Sequence, residues 1–201
     1  MKKNIIITIG RQFGCGGKCV AEVLGKKLGI PVYDHELIIK AAQESGFSAE
    51  FFEQSDEKRH TFSLSLFFSN SYSTENYMSD KGLFAIQCET IQRIADQGPA
   101  IIVGRCSDYV LRERGNTLDV FLTSPLEERV KRVAEREGLS LEKARDMVTR
   151  QDKKREEYYN YYTFGNWGVA SNYDLCIDSH IAGIEGTADI IIEFASKAGL
   201  L

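Results

Sequence analysis

The chain has 201 residues, 43% of them hydrophobic, and a formal net charge of −4. Such a length and composition allow one sizeable core, and the acidic balance argues against generic nucleic-acid binding. No apolar run approaches the ~18 residues of a membrane span, and five cysteines without CxxC spacing fit a reduced, cytoplasmic protein better than a disulfide or zinc framework.

In chain order, Asn4–Ile9 is an apolar, β-branched run that predicts a buried strand. A glycine-rich loop follows, with Gly14, Gly16 and Gly17 free to turn several backbone N–H groups toward one anion. Lys18 then opens a helical pattern to Leu28, closed by Gly29, and adds a mobile positive charge at a helix N-terminus that already favours anions. Against the phosphate-loop spacing GxxxxGK[ST], the first glycine position is Gln12 and the hydroxyl position is Cys19. Pro31–Tyr33 predicts a short second strand ending at Asp34.

Residues 36–97 read mainly as helices and loops. Within them Ser69–Asp80 is polar and serine-rich, a mobile connection, and Leu83–Ala95 is a helix. Ala100–Val103 and Leu118–Leu122 are the third and fourth strands. Ser124-Pro125-Leu126-Glu127 has the form of a capping box with proline at the first helical position. The helix it opens is expected to run to Arg136 and break at Gly138. A second begins after Ser140 and runs into the mid-150s; Asp174–Ile177 is a fifth strand and Thr187–Ala198 a closing helix. Strands alternating with helices predict an α/β fold, a five-stranded parallel sheet covered on both faces, with ligands at the C-terminal strand ends. The glycine loop, Asp34 and Arg105 all sit at such ends.

Phosphoryl transfer requires two phosphates held close and in line, with cations spread over the moving charge. Lys18 suits the donor's phosphates, and the bidentate fork of Arg105 an acceptor's phosphate. Residues 129–155 hold ten Lys/Arg against five Asp/Glu, a local +5 that leaves the remainder at −9. Arg129, Arg132 and Arg136 share a helical face, and Arg150, Lys153 and Arg155 follow on the next helix, the makings of a lid. Asp34 is placed to orient an acceptor, while Asp108 and Asp152 are weaker candidates for holding magnesium or substrate. The run from Tyr158 to Trp167 is aromatic; packing or a homo-oligomer interface is its expected use, with stacking on a base as the alternative.

These segments together resemble the nucleoside-monophosphate kinases, most closely the cytidylate-kinase-like branch of P-loop kinases. The resemblance rests on GRQFGCGGKCVAEVLGKKLGIPVYDHELI, IIVGRCSDYVL, VFLTSPLEERVKRV, RQDKKREEYYNYYTFGNW and YDLCIDS, in that order. It implies a single kinase domain over residues 1–201, with a helical acceptor-binding region at 36–97 and a lid at 129–165. It also implies transfer of the ATP γ-phosphoryl with Mg2+, and nucleotides as the partners.

Carried over by position, Gly14, Gly16, Gly17 and Lys18 match the ATP-phosphate loop, and Cys15 and Cys19 complete the expected contacts. Asp34, Lys40 and Arg105 are the implied acceptor-binding residues. Lys18, Arg132, Arg150 and Arg155 are the expected catalytic cations, Arg150 and Arg155 falling in the family's basic lid run. The chain departs from the Asp-Gly-Arg-Asp pattern of cytidylate kinases at Val103 and Cys106, lacks the loop hydroxyl at Cys19, and has Lys154 in place of an expected aspartate. No metal ligand is assigned. A nucleoside monophosphate is the acceptor expected first; a kinase for another small metabolite and a nucleotide-binding sensor without catalysis are the alternatives.

Overall fold

Hydrophobic side chains along the first strand point alternately to two faces, and both faces are covered. In the computed structural model, which describes residues 4–38 and 77–201, strand β1 (Ile6–Arg11) lies at the centre of a five-stranded sheet. The other strands are β2 (Val32–Tyr33), β3 (Ala100–Val103), β4 (Thr117–Thr123) and β5 (Leu175–Asp178), in the order β2-β3-β1-β4-β5, every adjacent pair parallel.

Ile7 and Ile9 pack on one face with Val20, Ala21 and Leu24 of helix α1 (Gly17–Leu28) and Ile191 of α6 (Ser179–Lys197). Ile6 packs on the other with Ile91 and Ile94 of α2 (Tyr77–Gln97), Ile102 and Leu111. Two buried faces explain why the central strands are mostly apolar on both sides. Between β3 and β4 lies the short helix α3 (Ser107–Val110).

Helices α4 (Leu126–Glu137) and α5 (Leu141–Thr163) form the basic segment, joined through Gly138 and Ser140. They are held together by Val130, Val133, Ala144 and Val148, and Phe13 of the glycine loop packs into the same cluster. The expected lid thus rests on the loop.

Several boundaries differ from expectation. β1 continues to Arg11 because its pairing with β4 persists through Gly10–Phe121 and Arg11–Leu122. α2 begins at Tyr77, so the end of the expected connection is helical, while residues 39–76, Lys40 among them, lie outside the described residues.

The capping box at Ser124 does not form. Pro125 itself is the N-cap, the Ser124 carbonyl accepts from Arg129 Nε at 2.9 Å, and the Ser124 hydroxyl is buried with no partner among the described residues. α5 runs on to Thr163 because Tyr158 and Tyr162, four residues apart, both pack on Phe84 of α2. α6 starts eight residues earlier than expected, capped by Asp178 and interrupted at Gly183.

Candidate active site

The glycine loop, residues 12–16, runs from the end of β1 into α1 and is held from outside. Phe13 N donates to Asp152 Oδ1 at 2.6 Å, and the Phe13 carbonyl accepts from Arg129 Nη1 at 3.1 Å. Arg129 also pairs with Asp152, and its side chain is almost wholly buried. Arg132 Nη1 donates to the Gly14 carbonyl at 2.8 Å and Ser179 Oγ to the Cys15 carbonyl at 2.7 Å.

Carbonyls are therefore drawn outward, and the loop turns through the left-handed region at Gly14 (φ 81°) and Gly16 (φ 88°). The positive φ favours glycine at position 16, where a Cβ would also come within 2.6 Å of Ile184 Cδ1 of α6 and push that side-chain end aside. The first helical bond of α1 is Val20 N to Gly16 O, which leaves the amides of Gly17 to Cys19 ahead of the ladder, the arrangement that receives anions. Cys15 is buried inside the turn, and burial raises its thiol pKa, so it acts as a small filler. Cys19 is exposed.

Lys18 Nζ lies 2.8 Å from Asp34 Oδ2, and the other Asp34 oxygen accepts from Leu37 N at 3.1 Å. The hydrogen bond from Lys18 raises the lysine's pKa. Burial pushes the Asp34 pKa up, but the bonds from Lys18 and Leu37 outweigh it and leave it lowered. Both groups stay charged near neutrality.

Beside the loop is a cavity of about 220 Å³ whose walls carry Arg11, Arg105, Lys154 and Arg155, together with His35 and Asp108. Gly104, Arg105 and Cys106 all have positive φ (76°, 60° and 55°), a strained turn that aims Arg105 from the end of β3 toward the cavity. Arg105 Cζ also sits 5.7 Å from the Tyr158 ring centroid. Arg155 Nη1 donates to the Arg11 carbonyl at 2.9 Å, so α5 is tied to the end of β1.

Burial lowers the pKa of Arg155, partly offset by Asp152. Burial raises that of Asp108, whose Oδ2 accepts from Tyr159 OH at 2.7 Å. Tyr158, Tyr159, Trp167 and Tyr173 form the aromatic wall. Tyr158, Tyr159 and Trp167 of the aromatic run line the cavity and Tyr162 stacks on Phe84, while Tyr161 and Phe164 are exposed, Phe164 at 93%.

Of the expected site residues, the structure gathers Gly14 to Cys19, Asp34 and Arg132 around the loop, and Arg105 and Arg155 around the cavity. Arg150 is exposed on α5, away from the cavity wall. Arg129 and Asp152 serve the loop's architecture. Arg11 was missed: strand end and loop start meet there, and sequence spacing does not show where its side chain goes. Among the described residues no group of three or more His, Cys, Asp or Glu is placed to hold a metal, and no helix is long and apolar enough to cross a membrane.

Residues 6–181 match the model of the cytidylate kinase-like family. The chain belongs to that family. A cytidylate kinase from Methanopyrus kandleri is 27% identical over 88% of this chain and 85% of its own length. An uncharacterized protein from Eubacterium ventriosum has a similar structure, with a TM-score of 0.72 and 28% identity over 96% of this chain and 98% of that one. Shikimate kinase from Bacteroides thetaiotaomicron, at 13% identity and a TM-score of 0.55 over 96% and 98% of the two chains, shares the fold. Family and fold together make this member a P-loop kinase.

Proposed function

We propose that the protein transfers the γ-phosphoryl of ATP to a small phosphorylated acceptor, a nucleoside monophosphate, in the cytoplasm. The observation that carries this reading is the adjacency of an anion-receiving loop and a cation-walled cavity, joined by the Arg155 bond to Arg11.

In this account the loop amides of Gly14, Cys15, Gly16, Gly17, Lys18 and Cys19 receive the donor's phosphates. The Lys18 ammonium, with Arg132 on the loop and Arg155 at the cavity, spreads positive charge over the oxygens that gain it in the transition state. Arg150 would join only by movement of α5. Arg105 grips the acceptor's phosphate, with Asp34 and Lys40 as further acceptor contacts. An oxygen of that phosphate attacks the γ-phosphorus, the bond to the β–γ bridging oxygen breaks, and ADP leaves with that electron pair. The attacking oxygen is already anionic, so no base has to remove a proton.

The residues present fit ATP, since the left-handed turn at Gly14 and Gly16 makes the cradle. They fit magnesium only through few protein ligands. Asp34 offers a carboxylate oxygen beside Lys18, whereas the Cys19 thiol is a poor partner for a hard cation. Bound magnesium would neutralise phosphate charge, held by Asp34, water and the nucleotide itself. The thiol at Cys19 also favours a second reading, a nucleotide-binding protein without turnover, for which ATP would bind equally well without Mg2+.

The test is ADP release from ATP and Mg2+ across a panel of nucleoside monophosphates and unphosphorylated alcohols. Stimulation by at least one nucleoside monophosphate, and not by the alcohols, supports the reading. No stimulation by any of them contradicts it.

A further inference from the structure

The Arg11 carbonyl ties β1 to Arg155, and the Arg11 side chain occupies the space between the two halves of the site. Its Cβ and Cγ lie against Gly17, the first residue of the helix after the loop, at 3.1 and 3.0 Å from where a Cβ would be. Its guanidinium lies on Gly104 at the end of β3: a Cβ there would fall 1.9 Å from Nη1 and 2.8 Å from Cζ. The absence of side chains at 17 and 104 is what lets this long side chain cross from donor loop to acceptor strand.

The seat places the guanidinium in the cavity wall that Arg105, Lys154 and Arg155 also form. Among the described residues no carboxylate is ion-paired with Arg11. Among the described residues, the acidic side chain of the wall is Asp108, which accepts from Tyr159 OH. Burial, and then the charges of Arg155 and Arg105, disfavour the charged form of Arg11. A half-buried guanidinium among like charges, facing a cavity, is poised for an anion with more than one negative charge.

We propose that Arg11 is a binding residue for the acceptor's phosphate, closing with Arg105 and Arg155 on a phosphate monoester dianion. The assignment rests on the kinase reading only for the identity of the acceptor. Arg11 supplies the face of the grip nearest the donor loop, and its planar fork binds two phosphate oxygens at once, which a lysine cannot reproduce.

The test is calorimetric titration of the full chain with CMP and with inorganic phosphate, both in saturating ADP so that the donor loop is filled. ATP affinity is measured separately. Arg11→Gln is expected to weaken CMP and phosphate about tenfold to a hundredfold, the size of one lost charge-assisted bond, with ATP affinity within about threefold of the parent. In turnover the loss should appear chiefly in the acceptor's KM.

Arg11→Lys should recover part of the affinity. If the glutamine variant does not fold, the lysine variant decides: a loss confined to CMP and phosphate supports the assignment, and no loss overturns it. CMP and phosphate affinities within twofold of the parent in Arg11→Gln overturn it, as do equal losses for ATP and CMP, which would put Arg11 on the donor side. Arg11-dependent phosphate binding in a chain that releases no ADP with any acceptor keeps this assignment and overturns the kinase reading.

Discussion

Lys18 Nζ and Asp34 Oδ2 meet at 2.8 Å, tying the helix behind the glycine loop to the end of β2. The lysine side chain is 62% exposed, so the pair contributes little to stability, under about 1 kcal/mol. In the proposed function, the pair holds the Lys18 ammonium beside the loop, where the donor's terminal phosphates would sit. Lys18→Ala should lower the rate of ADP release by about 10²–10³, the cost of losing one preorganised donor, with an unfolding midpoint close to the parent's. An unchanged rate removes Lys18 from the mechanism.

Gly16 is the tightest point of the loop. Alanine there would adopt φ 88° and push on Ile184. The left-handed backbone alone costs about 1–2 kcal/mol, and the cradle would have to open. Gly16→Ala is expected to weaken ATP binding by about tenfold or more, read by calorimetry, with CMP binding less affected.

Arg129 is 5% exposed and binds Asp152, the Phe13 carbonyl and the Ser124 carbonyl. Removing it leaves the Asp152 carboxylate half-satisfied beneath the loop, and breaking such a pair costs about 3–5 kcal/mol. Arg129→Met should show that loss in urea unfolding. The double variant with Asp152→Asn should recover part of it, because no uncompensated charge remains.

Asp119 in β4 accepts from Thr8 Oγ1 at 2.6 Å, and burial pushes its pKa up to about 6. Its unfolded value is about 3.9, so between these values the folded state binds more protons and stability falls as pH rises. The penalty is complete above about pH 6 and absent below about pH 4. Asp119→Asn keeps an oxygen for Thr8 and should be more stable than the parent at pH 8, by at most about 3 kcal/mol. Near pH 4 the two should be alike. Parallel stability curves for the two proteins over pH 4–8 would show that Asp119 is not the titrating group.

Much of the fold was legible because both faces of the sheet are buried. Ile5, Ile6, Ile7 and Ile9 are all buried, broken only by the β-branched Thr8, and such a run marks a central parallel strand. The loop was legible through Gly14, Gly16 and Lys18, and the strand ends through Asp34 and Arg105.

Other features depend on distances that no spacing contains. Ser124 fits a capping box, but Arg129 takes its carbonyl and the helix starts after Pro125. The tyrosines at 158–162 stand in the sequence as a separate aromatic run, and the helix continues through them because Phe84, distant in sequence, stacks on Tyr162 at 4.0 Å. Arg129 and Arg132 share a face with Arg136, yet the loop carbonyls draw the first two inward while Arg136 pairs with Glu137. The position of Arg11 is fixed by two glycines far apart in the chain, Gly17 and Gly104.

The most direct measurement is binding of a dinucleoside polyphosphate that joins adenosine to cytidine through its phosphate chain, titrated against the full-length protein. If loop and cavity receive two phosphates in line, one molecule binds per chain, at least about a hundredfold more tightly than ATP or CMP alone, because the second contact becomes intramolecular. An affinity no greater than that of ATP would contradict the account.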